Sequence, residues 1–324
     1  MRGLLLLCIL GGLSVVACKE DPVPLVPTHP FYTGLDLSYQ SFLADKKVSY
    51  QTSSGSPITD LFSFTQDQGC NLLRFRLFHD PVGLGDPIVE AAQFDSVRNL
   101  ARRATALGIP YLLDFHYSDK WADPAQQSKP KAWEKAPYET LKDSLYEYTF
   151  RILQGLNAES IGPEFVQLGN ETNAGFLWED GRTGNAQQWK AFAGLMSAAS
   201  KAVRDFNRLS KRDIQIALHH SNPNQAKDFF DHAQEESLDF DIVGLSYYPK
   251  WHGTDMAQLK SSLESLALAY NKPILILETF YPFTLQWNDL THNEIGMEEH
   301  LVPGIPASPK GQAQFLDSLC RIMN

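Results

Sequence analysis

The sequence predicts an α/β protein built from repeated βα units around one parallel sheet that curls into a barrel. Three observations carry this. Short runs rich in Val, Ile, Leu and aromatics recur, separated by amphipathic stretches of helical period. No composition shift or internal repeat marks a second domain after the first thirty or so residues. Within several runs, polar and apolar residues alternate with strict parity. The composition fits: 324 residues, 43% hydrophobic and 20% charged, describe a globular chain long enough for one large α/β core. With 28 Lys+Arg against 38 Asp+Glu, net charge −10, the chain lacks the basic character of a nucleic-acid binder.

The N-terminal segment is read first as a targeting element. Arg2 precedes an apolar run from Leu4 to Ala17, too short to span a bilayer and suited to a signal-peptide core. Small residues lead directly into Cys18, resembling a bacterial lipoprotein cleavage box, so residues 1–17 are expected to be removed and Cys18 lipidated. Lys19-Glu20-Asp21 resembles an acidic export tag. The expected location is the outer membrane or cell surface of a Gram-negative bacterium, anchored in the membrane through Cys18, with a periplasmic or secreted form as the alternative. Four prolines between Pro22 and Pro30 favour extended chain, which makes residues 18–32 a tether and residues 33–324 the barrel domain. Of the remaining cysteines, Cys8 leaves with the signal, and Cys70 and Cys320 read as inert thiols rather than a bridge.

Seven strands are recognisable: Thr33–Tyr39, Asn71–Phe78, Pro110–Tyr117, Phe165–Thr172, Asp213–His220, Phe240–Tyr248 and Lys272–Phe280. Helical patterns lie between them, as at Phe94–Leu107 and Gln187–Phe206. Leu73, Phe75 and Leu77 alternate with Arg74 and Arg76; Leu113, Phe115 and Tyr117 with Asp114 and His116; Val166 and Leu168 with Gln167, Gly169 and, further on, Glu171. In a barrel the apolar parity faces the helices and the polar parity the interior, with catalysis at the C-terminal strand ends. An open sheet with surface charges is the competing arrangement.

Two carboxylates stand out. Glu171 closes the fourth run and Glu278 the seventh, each at the end of a stretch almost devoid of charge. A poorly solvated carboxylate costs free energy unless it is partnered or used. Paired carboxylates across a barrel mouth suit glycoside hydrolysis, one protonating the leaving oxygen and the other attacking the anomeric carbon or activating water. Read from these residues alone, a purely structural use as ion-pair partners of Arg74 and Arg76 stays open.

Several ordered motifs resemble glycoside hydrolase family 53, the endo-β-1,4-galactanases that cut pectic galactan (arabinogalactan type I). They are Thr33–Ser38, Asn71–Leu77, Leu112–Asp119 running on to Trp121-Ala122-Asp123-Pro124, Val166–Glu171 and Gly244–Pro249. The resemblance runs from about Thr33 to Leu319. It implies a (β/α)8 TIM-type barrel and a retaining double displacement, with Glu171 as acid/base, Glu278 as nucleophile and β-1,4-galactan polysaccharide or oligosaccharide as partner. It also implies that Asn170 contacts the sugar 2-hydroxyl, and that Arg76 and Tyr248 hold Glu278 ionised and aimed. Asp114 is expected on the substrate, and His116 and His219 on the substrate or beside the catalytic pair, the two histidines with a buried structural role as the rival. His220 falls on the other parity. Trp121, Trp178 and Trp251 follow strand ends, where flat rings stack on sugar faces, whereas Trp189 lies inside a helical pattern and reads as packing.

Neither a metal nor another cofactor is required by this chemistry. Asn288, Asp289, His292 and Asn293, in the long loop over 279–306, loosely resemble a calcium-binding loop of bacterial relatives, a set thin in carboxylates for calcium. Ser308-Pro309 begins a helix carrying Phe315, Leu316 and Leu319, and no eighth strand follows it. The expectation is therefore an incomplete barrel, with edges at strands one and seven. That leaves two alternatives: a catalytically weak or inactive surface glycan-binding barrel, and another β-glycanase, such as a mannanase or cellulase, with the same carboxylate pair.

Overall fold

A computed structural model of the protein describes residues 30–287 and 293–323. Cys18, most of the tether, and Asn288, Asp289 and His292 of the calcium expectation lie outside the described residues. One compact unit begins at Phe31.

The alternating parity is realised as seven parallel strands: β1 Gly34–Asp36, β2 Leu72–Leu77, β3 Tyr111–Phe115, β4 Phe165–Leu168, β5 Gln215–His220, β6 Ile242–Ser246 and β7 Ile274–Glu278. They pair in chain order, each with the next, and among the described residues β1 pairs only with β2 and β7 only with β6. A helix follows each strand: α1 Leu61–Asp67, α2 Phe94–Ala106, α3 Tyr138–Ala158, α4 Ala186–Ser210, α5 Ala226–Glu235, α6 Met256–Tyr270 and α7 Pro309–Met323. In α2 the buried positions are Val97, Leu100, Ala101 and Ala104, the spacing of one helical stripe. Asp60 caps α1 by accepting from the backbone N–H groups of Phe62 and Ser63. In α7, Phe315 is fully buried, its ring stacked 4.5 Å from that of Tyr281. The sequence reading missed a small antiparallel hairpin, Tyr50–Gln51 with Pro57–Ile58, between β1 and α1.

The two parities separate as two cores. Leu73, Phe75, Leu113, Phe115, Val166, Leu168, Ile216, Leu218, Val243 and Leu245 fill the space between sheet and helices. Inside the curl, Leu72, Leu112, Phe165, Ala217 and Ile242 form a separate apolar plug, joined by Leu275 and Leu277. Each strand's next inward position lies one layer nearer the C-terminal mouth, where Arg74, Asp114, Gln167 and His219 replace the apolar side chains. The curl is tight enough that Glu278 of β7, at one end of the strand order, meets Arg74 of β2, near the other, at 2.9 Å.

Both cysteines in the described part, Cys70 and Cys320, are free and half-buried. Trp189 is buried and stacked on His232 at 4.8 Å. His220 is buried, and its Nδ1 accepts from the Asn222 backbone N–H at 3.0 Å.

Candidate active site

Strand ends deliver the two acids by different local devices. After Leu168 the chain turns through Gly169 at φ +80° and Glu171 at φ 47°, both left-handed. Only glycine takes that backbone without cost, so Glu171 stores strain where the strand breaks. On β7, Ile274 and Ile276 pack outward and Leu275 and Leu277 inward, so simple alternation would aim Glu278 at the helices. A register irregularity intervenes: Leu245 of β6 faces Ile276, and the next residue, Ser246, faces Glu278. The extra residue re-aims Glu278 into the barrel, as bulges do.

Around Glu278 the field is strongly positive. Its Oε1 pairs with Arg74 Nη2 at 2.9 Å and Arg76 Nη2 at 3.1 Å, and the Tyr248 hydroxyl donates to its Oε2 at 2.8 Å. Burial alone would raise this carboxyl, but Arg76 and Arg74 outweigh it and hold Glu278 well below the usual carboxylate range. The arginines are themselves held. Asp36 Oδ2 lies 2.7 Å from Arg74 and 3.2 Å from Arg76, Asp114 Oδ2 lies 2.7 Å from Arg74, and Arg76 donates to the Tyr39 hydroxyl at 2.8 Å.

Glu171 has the opposite environment. Burial, followed by the negative charge of Glu278, pushes its carboxyl up to about 7. The Ser246 hydroxyl donates to its Oε1 at 2.7 Å. At neutral pH one member of the pair is thus anionic and the other substantially protonated, the division of labour that acid-assisted nucleophilic displacement needs.

The other expected residues fall into two groups. Asn170 gives one amide hydrogen to Ala122 O at 2.8 Å and accepts from Arg74 and Gln167 on its oxygen. Asp114 was expected on the substrate. Its side chain is fully buried, and it reaches Arg74 rather than the cleft. His116 and His219, also fully buried, sit among the residues that hold the acids: His116 Nδ1 lies 3.1 Å from Asp114 Oδ2, with its ring 4.3 Å from Phe78, and His219 bonds to Ser246. Trp121 is half-buried, with Arg76 5.7 Å from its ring centre. Trp178 is half-buried too, covered by Arg182 at 3.9 Å, and its Nε1 donates to Ala174 O. Trp251 is 50% exposed and lies edge-on to Tyr248. Asp36, Arg74, Gln167 and Ser246 complete the network but were not singled out as site residues, although each shares the inward parity of its strand.

Comparisons with known proteins identify the family to which this fold belongs. The family model "Glycosyl hydrolase family 53" matches residues 32–324. An arabinogalactan endo-beta-1,4-galactanase of Cellvibrio japonicus is 36% identical over 318 residues, spanning 97% of this chain and 82% of its own. The endo-beta-1,4-galactanase of Bacillus subtilis is 35% identical over 293 residues, 87% of this chain and 64% of its own. Among solved structures, the GH53 catalytic domain of Ignisphaera aggregans superposes with a TM-score of 0.82 at 35% identity, covering 91% of this chain and 81% of that one. With a family model spanning its whole described fold and relatives aligned along nearly all of it, the chain belongs to glycosyl hydrolase family 53.

Proposed function

We propose that the protein is a retaining endo-β-1,4-galactanase acting on pectic galactan, with Glu171 as acid/base and Glu278 as nucleophile. The observation that carries this reading is a carboxylate, Glu278, clamped by Arg74, Arg76 and the Tyr248 hydroxyl in the same barrel mouth as a second carboxyl, Glu171, held by Ser246. This arrangement favours ionising the first and protonating the second. Two relatives named as endo-β-1,4-galactanases support the substrate. In the first half-reaction, Glu278 attacks the anomeric carbon and the C1–O bond breaks as Glu171 protonates the departing oxygen. In the second, Glu171 takes a proton from water, whose oxygen bonds to C1 and releases Glu278. A purely binding barrel is disfavoured, because holding a protonated carboxyl beside an arginine-clamped carboxylate serves no purpose in sugar binding alone.

Reducing-sugar release from potato-type galactan, compared with mannan and cellulose, tests the assignment. Galactan is expected to be the preferred substrate, and a panel without that preference contradicts the reading. Glu171→Ala is expected to lose on the order of 10²- to 10⁴-fold in turnover of galactan, and Glu278→Ala at least as much. With an aryl β-galactobioside whose leaving group departs without protonation, azide should restore turnover in both variants, trapping a β-glycosyl azide in the first and an α-glycosyl azide in the second. No rescue in either variant contradicts the assignment.

We also propose that the mature protein is held at the cell surface by lipid on Cys18. The apolar run ending in small residues before that cysteine supports this. Expression in a Gram-negative host with labelled palmitate is expected to label the wild type and not Cys18→Ala; label on neither argues for a secreted or periplasmic form.

A further inference from the structure

Ser246 ends a chain of hydrogen bonds whose direction is set at its far end. Arg74 can only donate, and its Nε and Nη2 lie 3.1 and 3.0 Å from Gln167 Oε1. The Gln167 amide therefore presents its oxygen to the guanidinium and its NH2 to a trio of acceptor positions, Gly169 O at 3.0 Å, Asn170 Oδ1 at 3.1 Å and His219 Nδ1 at 3.0 Å. The Glu171 backbone N–H, another obligate donor, lies 3.2 Å from the same nitrogen. Asn170 Oδ1 also lies 3.2 Å from Nδ1, but it already accepts from Arg74 and Gln167, and the Glu171 N–H aimed at Nδ1 excludes a proton there. Nδ1 is thus an acceptor, and the neutral ring carries its proton on Nε2, 2.9 Å from Ser246 Oγ. With His219 donating to it, the Ser246 hydroxyl turns its own hydrogen to Glu171 Oε1 at 2.7 Å. Arg74, Gln167, His219 and Ser246 are all at most 5% exposed, so water does not compete for these directions.

We infer that Ser246, oriented by His219, is a positioning residue that reserves Oε1 of Glu171 as an acceptor and so assigns the catalytic proton to Oε2. The inference rests on Glu171 acting as acid/base. In the first half-reaction the Oε2–H bond breaks and its proton passes to the glycosidic oxygen; C1–O breaks and C1–O(Glu278) forms. The Ser246 bond then meets a full carboxylate and strengthens. In the second half, the water oxygen bonds to C1 as C1–O(Glu278) breaks, and the water proton goes to Oε2. Arg74 thereby serves both acids, clamping Glu278 directly and orienting Glu171 through Gln167, His219 and Ser246. Burial agrees with a neutral ring, lowering His219 to about 3.

The test is the pH dependence of kcat/KM on galactan for the wild type, Ser246→Ala and Ser246→Thr. Losing a bond donated to the carboxylate makes Glu171 a weaker acid, so Ser246→Ala is expected to move the alkaline limb upward by about one unit, with the acid limb unmoved. Ser246→Thr, which keeps the hydroxyl, should return the limb to its wild-type position. A merely structural serine would lower activity without moving that limb. If the wild type cleaves galactan and Ser246→Ala keeps the wild-type limb, the inference is overturned while the galactanase reading stands. If the wild type releases no sugar, or Glu171→Ala retains full turnover, both fall. Independently of any variant, ¹⁵N NMR of the histidine-labelled wild type should show His219 neutral with the proton on Nε2; a ring protonated on Nδ1, alone or as imidazolium, overturns the inference.

Discussion

Glu171 and Glu278 are chemically identical side chains made different by their neighbours, and the difference sets the pH response. The acid must be protonated, so kcat/KM is expected to fall as pH rises through about 7, where burial and then Glu278 have pushed Glu171. The nucleophile must be ionised, so activity is expected to persist to below the usual carboxylate range, because Arg76 and Arg74 overcome the effect of burial. A galactan pH–rate profile checks both limbs. Stability carries the same signature with its sign fixed by linkage. Glu171 binds its proton more tightly folded than at its ordinary 4.5, so it stabilises the fold at low pH, and that contribution is lost as pH rises from 4.5 to about 7. Glu171→Gln is therefore expected to gain on the wild type across that window, by at most about 3 kcal/mol in urea unfolding; a constant gap would contradict the raised carboxyl. Arg74→Ala is expected to cost about 3–5 kcal/mol, since it leaves the fully buried Asp114 without its arginine partner.

Elements decide how accurately those side chains are aimed. Gly244 lies on β6 two residues before Ser246, where a Cβ would sit 2.4 Å from Leu277 Cδ1 and 2.8 Å from the Leu218 carbonyl oxygen. The first contact can swing aside, but the second is β5 backbone. Gly244→Ala is expected to cost about 1–3 kcal/mol and to lower kcat by displacing Ser246 and Tyr248; thermal unfolding and galactan kinetics check the pair of effects. At this scale the sequence was most informative. Period-two alternation located the strands and put Arg74, Arg76, Asp114, His116 and Gln167 on one parity, and the family resemblance is what assigned Arg76, Asp114 and His116 to the site. The alternation overstated strand length, because Gly169 and Glu171 turn left-handed where the reading continued β4 to Thr172. It would also have misdirected Glu278 if applied literally, since the irregularity beside Ser246 reverses the parity there. Gln167 and Ser246 were not singled out because their roles arise from partners distant in sequence: Arg74 lies 93 positions from Gln167. Nothing local to a glutamine or serine announces such a partner.

Across the whole molecule, the sheet's order gives each strand a different exposure. β3 is buried throughout, whereas all of β7 is only half-buried and all of β1 is exposed. Hydrogen exchange of this chain is expected to protect the amides of β3 and β4 most and those of β1 and β7 least; uniform protection across the sheet would show that the ends of the strand order are covered. The curl also explains why residues from β2 and β7 act as one unit although they lie 202 positions apart, as Arg76 and Glu278 do. Bringing the two ends of the strand order together places the positive clamp on Glu278, while Glu171, in the turn just past β4, lies close enough to feel its charge. A covalent trap tests this arrangement most directly. Incubation with a 2-deoxy-2-fluoro galactobioside bearing a good leaving group, followed by proteolysis and mass spectrometry, is expected to place the sugar on the peptide containing Glu278. A label on Glu171, or none while turnover of galactan proceeds, would contradict the account.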